Sequence, residues 1–103
     1  MQGMDDILRQ AQLMQSKMAE MQESLAGKSV EGSSGGGMVR AVVTGKLDLL
    51  SISIDKAVVD PDDVDMLQDL VTSAVNDALR QARQLAEREM AGLAGGFKIP
   101  GLM

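Results

Sequence analysis

Arg80, Arg83 and Arg88 are the side chains whose type and spacing carry a recognisable chemistry. A guanidinium group offers paired N–H donors that match phosphate oxygens, and it stays charged throughout the working pH range. At about 100° per residue, Arg83, Arg80 and Arg88 fall at roughly −60°, 0° and +80° on a helical wheel. Ala74, Ala78, Ala82, Leu85 and Ala86 occupy an arc centred near 180°, at roughly the opposite side. The arginines therefore point away from a core, and a functional reading makes them phosphate contacts that need no particular base sequence. The ordinary alternative is a solvated helix end whose cations complement the dipole. Because the chain has a single aromatic residue, bases have no stacking platform and single-strand recognition is not expected.

The remaining candidate chemistries fall away one by one. The chain has no cysteine and no histidine, which excludes disulfides, thiolate zinc sites, cysteine nucleophiles and histidine acid/base catalysis. Asp62, Asp63 and Asp65 lack the loop spacing of a calcium hand, so no metal is expected. Gly32-Ser33-Ser34-Gly35-Gly36-Gly37 lacks the Lys-Ser/Thr of a phosphate loop and leads into a strand, so it reads as a turn. With no base-orienting constellation around the Ser and Asp residues, the reading is no enzyme, no cofactor and no small-molecule substrate. No apolar run approaches the roughly 20 residues of a membrane span, and an N-terminus with Asp5, Asp6 and Arg9 lacks a signal-peptide core. A cytoplasmic protein is expected.

The elements that must position the arginines follow from periodicity. Met4, Ile7, Ala11, Met14, Met18, Met21 and Leu25 recur at alternating spacings of three and four, which predicts an amphipathic helix over 4–26 stopped by Gly27. A methionine stripe at this spacing reads as core, with part of it available as subunit interface. Val39, Ala41 and Val43, then Leu50, Ile52 and Ile54, alternate with more polar neighbours and predict two strands. Gly45-Lys46 between them predicts a type II′ hairpin, with Gly45 supplying the positive φ. Ser29 to Ser34 adds a weaker third strand.

Asp60-Pro61-Asp62-Asp63 predicts a helix start, with Asp60 as cap and Pro61 at the first helical position. The helix that follows meets no Gly or Pro until Gly92, and at about 1.5 Å per residue it outruns a sheet of this size. Laid with the first helix on one sheet face, the N-terminal half of helix 1 lies beside the C-terminal half of helix 2 as an arm. Its apolar stripes call for cover by self-association. The reading is one domain over 1–103, with a Gly/Pro tail over 92–103.

Charge is segregated along this frame. The net charge of −5 taken alone disfavours nucleic acid. Residues 55–77, however, hold seven aspartates against Lys56 alone, and from residue 78 onward Arg80, Arg83, Arg88 and Lys98 outnumber Glu87 and Glu89. The base of the long helix is acidic and its far end basic.

The order of helix, glycine turn, short sheet, Asp-Pro-started helix and Pro-Gly tail resembles the YbaB/EbfC family of bacterial nucleoid-associated proteins over essentially the whole chain. The matching residues are Gly35-Gly36-Gly37-Met38-Val39, Gly45, Ile52-Ser53-Ile54-Asp55, Leu67-Gln68-Asp69-Leu70-Val71, Asn76-Asp77-Ala78 and Pro100-Gly101. Thr44-Gly45 stands where such sequences often carry Asn-Gly, and Asp55-Lys56 where Asp-Pro is frequent. The resemblance implies an α+β fold of order α-β-β-β-α, with a small antiparallel sheet and two long helices whose ends project as an arm in a homodimer. It also implies binding of double-stranded DNA in the nucleoid, with influence on nucleoid organisation and gene expression. Its charged positions near the helix ends fall on Arg80, Arg83 and Arg88, with Arg9 and Lys17 as neighbours from helix 1. The competing expectation is a protein-interaction or holdase-like module that presents Met14, Met18 and Met21 to clients.

Overall fold

The computed structural model describes residues 2–96. The order is α1 (Gln2–Ala26), β1 (Ser29–Ser34), β2 (Val39–Thr44), β3 (Leu49–Ile54) and α2 (Val64–Gly96), the expected α-β-β-β-α arrangement. The strands form an antiparallel sheet in the order β1-β2-β3. The weaker strand expected over 29–34 is therefore real, and it pairs with β2 from Ser29 opposite Thr44 to Ser34 opposite Val39. The glycines between β1 and β2 act as a turn, as their composition implies: Gly35, Gly36 and Gly37 have φ of 59°, 68° and 93°, values that side chains resist.

The core is a helix laid on two strands. Val39, Ala41 and Val43 from β2 are fully buried against Ala74, Ala78 and Ala82 from α2. The alanines recur every fourth residue and form a shallow stripe on which the sheet can approach closely. Gly32 completes the fit from β1, since a Cβ there would lie 2.2 Å from the Ala78 nitrogen and 2.6 Å from the Ala74 carbonyl oxygen.

Three local expectations are corrected. Gly45 does not supply a positive φ; in the Thr44–Asp48 turn that role falls to Leu47, at 69°. Glycine is required at 45 because a Cβ would meet the Leu25 carbonyl oxygen at 2.7 Å, where the Gly45 N–H donates to that oxygen at 3.0 Å. Asp60 does not cap α2 and Pro61 is not its first residue: both lie in a preceding turn, where the Asp60 carboxylate accepts from the Asp62 N–H at 2.9 Å, and Asp63 caps the helix by accepting from Met66 N–H at 3.2 Å. Gly92 does not end α2, which continues to Gly96 because one interior glycine costs only about 1 kcal/mol. The tail from residue 97 lies outside the described residues.

The helices also sit differently from the expected pair on one sheet face. α2 alone covers the sheet, because its alanine stripe already fills the face over β1 and β2. Helix α1 meets the sheet only at its C-terminal end, where Leu25 meets Gly45. It then runs antiparallel to α2, with Lys17, Met21 and Leu25 sharing grooves with Leu93, Met90 and Arg83. In that register the C-terminal half of α1, not its N-terminal half, lies beside α2, and about three turns of α1 pass beyond Gly96. The dimensions agree: the molecule is 73 Å long and 17 Å thick, whereas α2 alone accounts for about 50 Å.

Consequently most of the methionine stripe is not core. Met21 and Leu25 are buried, but Met4 and Ile7 are 67% and 66% exposed, and Met14 and Met18 are exposed as well. A second apolar strip lies uncovered on β3. A bulge at Leu50 sets Leu49, rather than Leu50, opposite Val43, so Leu49, Ile52 and Ile54 share the face of Val43, Ala41 and Val39. Because α2 stops short of β3, these three remain 40–47% exposed.

Candidate nucleic-acid interface

Helix α2 presents Arg80, Arg83 and Arg88 on its exposed side, as the wheel implies, because Ala74, Ala78 and Ala82 fix which side is buried. The three nevertheless occupy different surroundings. Arg80 sits at the level of the sheet, 3.4 Å from the Asp77 carboxylate. That carboxylate also accepts from the Ser33 N–H of β1 at 3.0 Å and from Gln81 Nε2 at 3.3 Å. The Ser33 hydrogen bond, helped by Arg80 and Gln81 and opposed by partial burial, holds Asp77 below the ordinary carboxylate value. Asp77 thus ties α2 to β1 and partly neutralises Arg80.

Arg83 and Arg88 lie farther out, on two grooves separated by Met21. Arg83 flanks an apolar groove of about 250 Å³ between α1, the β2–β3 turn and α2, which is also lined by Met18, Leu25, Leu47 and Met90. Lys46 from the turn joins it there. Arg88 shares the second groove, about 320 Å³, with Lys17 of α1, so two expected site residues from opposite ends of the chain are brought together. Glu20 and Glu89 line the same groove. Arg9 stands exposed on the N-terminal half of α1, apart from both grooves.

Two further cations come from connections. Lys28, just after the end of α1, pairs with Glu89, and Lys46 sits in the hairpin turn. A helical wheel cannot find either, because both lie outside helices; only the cation beside a predicted turn marks them. Among the described residues no group of His, Cys, Asp and Glu is placed to hold a metal ion, and no helix is long and apolar enough to cross a membrane.

These features define a small α+β protein with an elongated two-helix arm, cations along its grooves and uncovered apolar strips. The chain belongs to the YbaB/EbfC DNA-binding family, whose model matches residues 1–97. It is 54% identical to a nucleoid-associated protein of Syntrophobacter fumaroxidans over 92% of this chain and 86% of that one. It is likewise 54% identical to a nucleoid-associated protein of Caldanaerobacter subterraneus subsp. tengcongensis, over 97% of this chain and 90% of the relative. The crystal structure of an uncharacterized Helicobacter pylori protein shares the fold at a TM-score of 0.62 and 24% identity, covering 85% of this chain and 98% of that one. The family is one of nucleoid-associated DNA-binding proteins and not an enzyme family.

Proposed function

We propose that this chain acts in the cytoplasm, on the nucleoid, as a homodimer that grips double-stranded DNA through backbone phosphates and so influences nucleoid organisation and gene expression. The observation that carries the reading is the convergence of Lys17 and Arg88 on one arm groove, with Arg83 on the next. Cations on a projecting support reach phosphates on a curved duplex surface, and they carry no base specificity of their own. A second copy supplies the cover that Leu49, Ile52, Ile54 and the exposed methionines of α1 lack. No small molecule, metal or cofactor enters the mechanism.

The five cations do not contribute equally. Lys17 and Arg88 dominate because they act together, Arg83 and Arg9 add to them, and Arg80 contributes least because Asp77 already engages it. Fluorescence anisotropy of a labelled duplex, titrated at low and physiological salt, tests the reading. Charge reversal at Arg80, Arg83 and Arg88 together lowers the log-log salt slope by about 2.7 if each makes one contact. Unchanged binding in that variant, with an unchanged melting curve, removes the arginines from the mechanism. Of the expected client surface Met21 is buried, but the exposed Met14 and Met18, joined by Met4, support a second reading, a holdase-like surface. Suppression of client aggregation without duplex binding at low salt would favour it.

A further inference from the structure

Among the described residues, the arm holds one ion pair that links separate elements. Lys28 Nζ pairs with Glu89 Oε1, joining the short α1–β1 connection to α2, and the two side chains are 47% and 29% exposed. Glu89 also lines the groove of Lys17 and Arg88. Among the described residues, neither Lys17 nor Arg88 forms an ion pair of its own. The carboxylate of Glu89 therefore stands on the wall of the groove where these cations converge, and it engages the third cation, Lys28.

We propose that Lys28 is a further phosphate-binding residue of the arm and that Glu89 masks it as an internal stand-in for phosphate. The inference rests on the reading of the arm as a phosphate-gripping surface. A carboxylate and a phosphate oxygen are alternative acceptors for one ammonium group, so the two compete for Lys28. Competition is feasible because a half-exposed ion pair is well screened and contributes little by itself. When DNA lies in the groove, Lys28 either stays with Glu89 or turns to phosphate. In the latter case the Glu89 carboxylate is left facing the DNA backbone and repels it. Glu89 thereby sets an upper limit on affinity and lowers the number of counterions released per bound protein. Such a limit suits a protein that must leave DNA as well as bind it.

The test is duplex titration across a salt series with the full chain and four variants: Glu89→Gln, Lys28→Met, their combination, and Glu87→Gln. Glu87 is exposed on the same stretch of α2 and has no ion pair among the described residues, so it reports the diffuse effect of removing one negative charge. Glu89→Gln is expected to tighten binding several-fold at low salt and to steepen the log-log slope by about 0.9, one added phosphate contact. That added contact alone makes the loss of affinity between 50 and 200 mM salt about 3.5-fold larger than in the unmodified protein. Adding Lys28→Met should return the slope to its original value, and Glu87→Gln should leave the slope unchanged. The inference is overturned if Glu89→Gln leaves the slope as it was, if its gain survives in the combination with Lys28→Met, or if Glu87→Gln matches it. If the unmodified protein binds with a clear salt slope in any of those cases, the arm reading stands and only the masking falls. Absence of binding by the unmodified protein at the lowest salt overturns the arm reading itself, and the masking with it.

Discussion

Replacing Gly32 with alanine adds one methyl group to β1, and the structure specifies what that group meets. The new Cβ lies 2.2 Å from the Ala78 nitrogen, 2.6 Å from the Ala74 carbonyl oxygen and 2.7 Å from the Ala78 Cα. All three are backbone atoms of α2, so no side-chain rotation relieves the contact. To restore an ordinary separation the helix must retreat by about 1 Å, and a gap of that size forfeits roughly a quarter to a half of the dispersion well at each atom pair it opens. The retreat would open the contact of Ala74, Ala78 and Ala82 with Val39, Ala41 and Val43, the fully buried core among the described residues. Overpacking of this kind costs about 1–3 kcal/mol, and rigid backbone partners place Gly32→Ala at about 3 kcal/mol. For a domain of this size that is a fall in Tm of roughly 12–24 °C. Gly92→Ala makes the same chemical change in α2 where nothing lies within 4 Å. It should stabilise by up to about 1 kcal/mol through helix propensity. Thermal unfolding by circular dichroism at one fixed protein concentration compares the two. A loss below about 1 kcal/mol in Gly32→Ala would mean that helix and strand are not in backbone contact, and the packing argument would be wrong.

Three further predictions follow from particular contacts. Asp63→Ala removes the cap that accepts the Met66 N–H and should cost about 1 kcal/mol in denaturant unfolding, whereas Asp60→Ala should cost less because Asp60 serves only the preceding turn. Asp77 titrates below its ordinary value of 3.8, so folding favours its charged form. Its contribution is present above that value and is lost as pH falls through the lower folded-state value. The Tm difference between the protein and Asp77→Asn should therefore hold steady at neutral pH and close below 3.8; a gap that widens there would contradict the Ser33 contact. Ile52→Lys places a charge in the uncovered β3 strip and should shift the sedimentation of the proposed dimer to monomer with the circular dichroism spectrum retained. An unaltered dimer would put the subunit interface elsewhere.

What was legible in the sequence was whatever a local period encodes. The two helices, the β2–β3 pair and the exposed placement of Arg80, Arg83 and Arg88 all follow from spacings of two or of three and four. What misled was decided by contacts between distant segments. Gly45 looks like a turn glycine, but Leu25 from the end of α1 decides its role. Met4 to Met18 look like core, but α1 leaves the sheet because the alanine stripe of α2 has already occupied it. β1 looks weak because Gly32 is a poor strand former, yet that glycine admits the helix. The candidate site divides the same way. Its α2 arginines were visible on a wheel, whereas the meeting of Lys17 with Arg88, and the pairing of Lys28 with Glu89, depend on the antiparallel register of α1 on α2.

The net charge of −5 is compatible with phosphate binding because of distance. The aspartates crowd the start of α2, from Asp60 to Asp69, while Arg88 lies 25 residues beyond Asp63 on a continuous helix. At about 1.5 Å per residue that separation is roughly 37 Å. The screening length at physiological ionic strength is about 8 Å, so Asp63 lies more than four screening lengths from Arg88. In the proposed binding mode, a duplex approaching the arm responds to Lys17, Arg83 and Arg88, together with the carboxylates beside them, and scarcely to the aspartates at the other end of the helix. Glu20 and Glu89 therefore have more influence at the groove of Lys17 and Arg88 than the aspartates around the start of α2 from Asp60 to Asp65. At low ionic strength, where the screening length grows to about 30 Å, the aspartates re-enter the balance. Neutralising Asp62, Asp63 and Asp65 should then strengthen binding measurably at about 10 mM salt and leave it unchanged at about 150 mM.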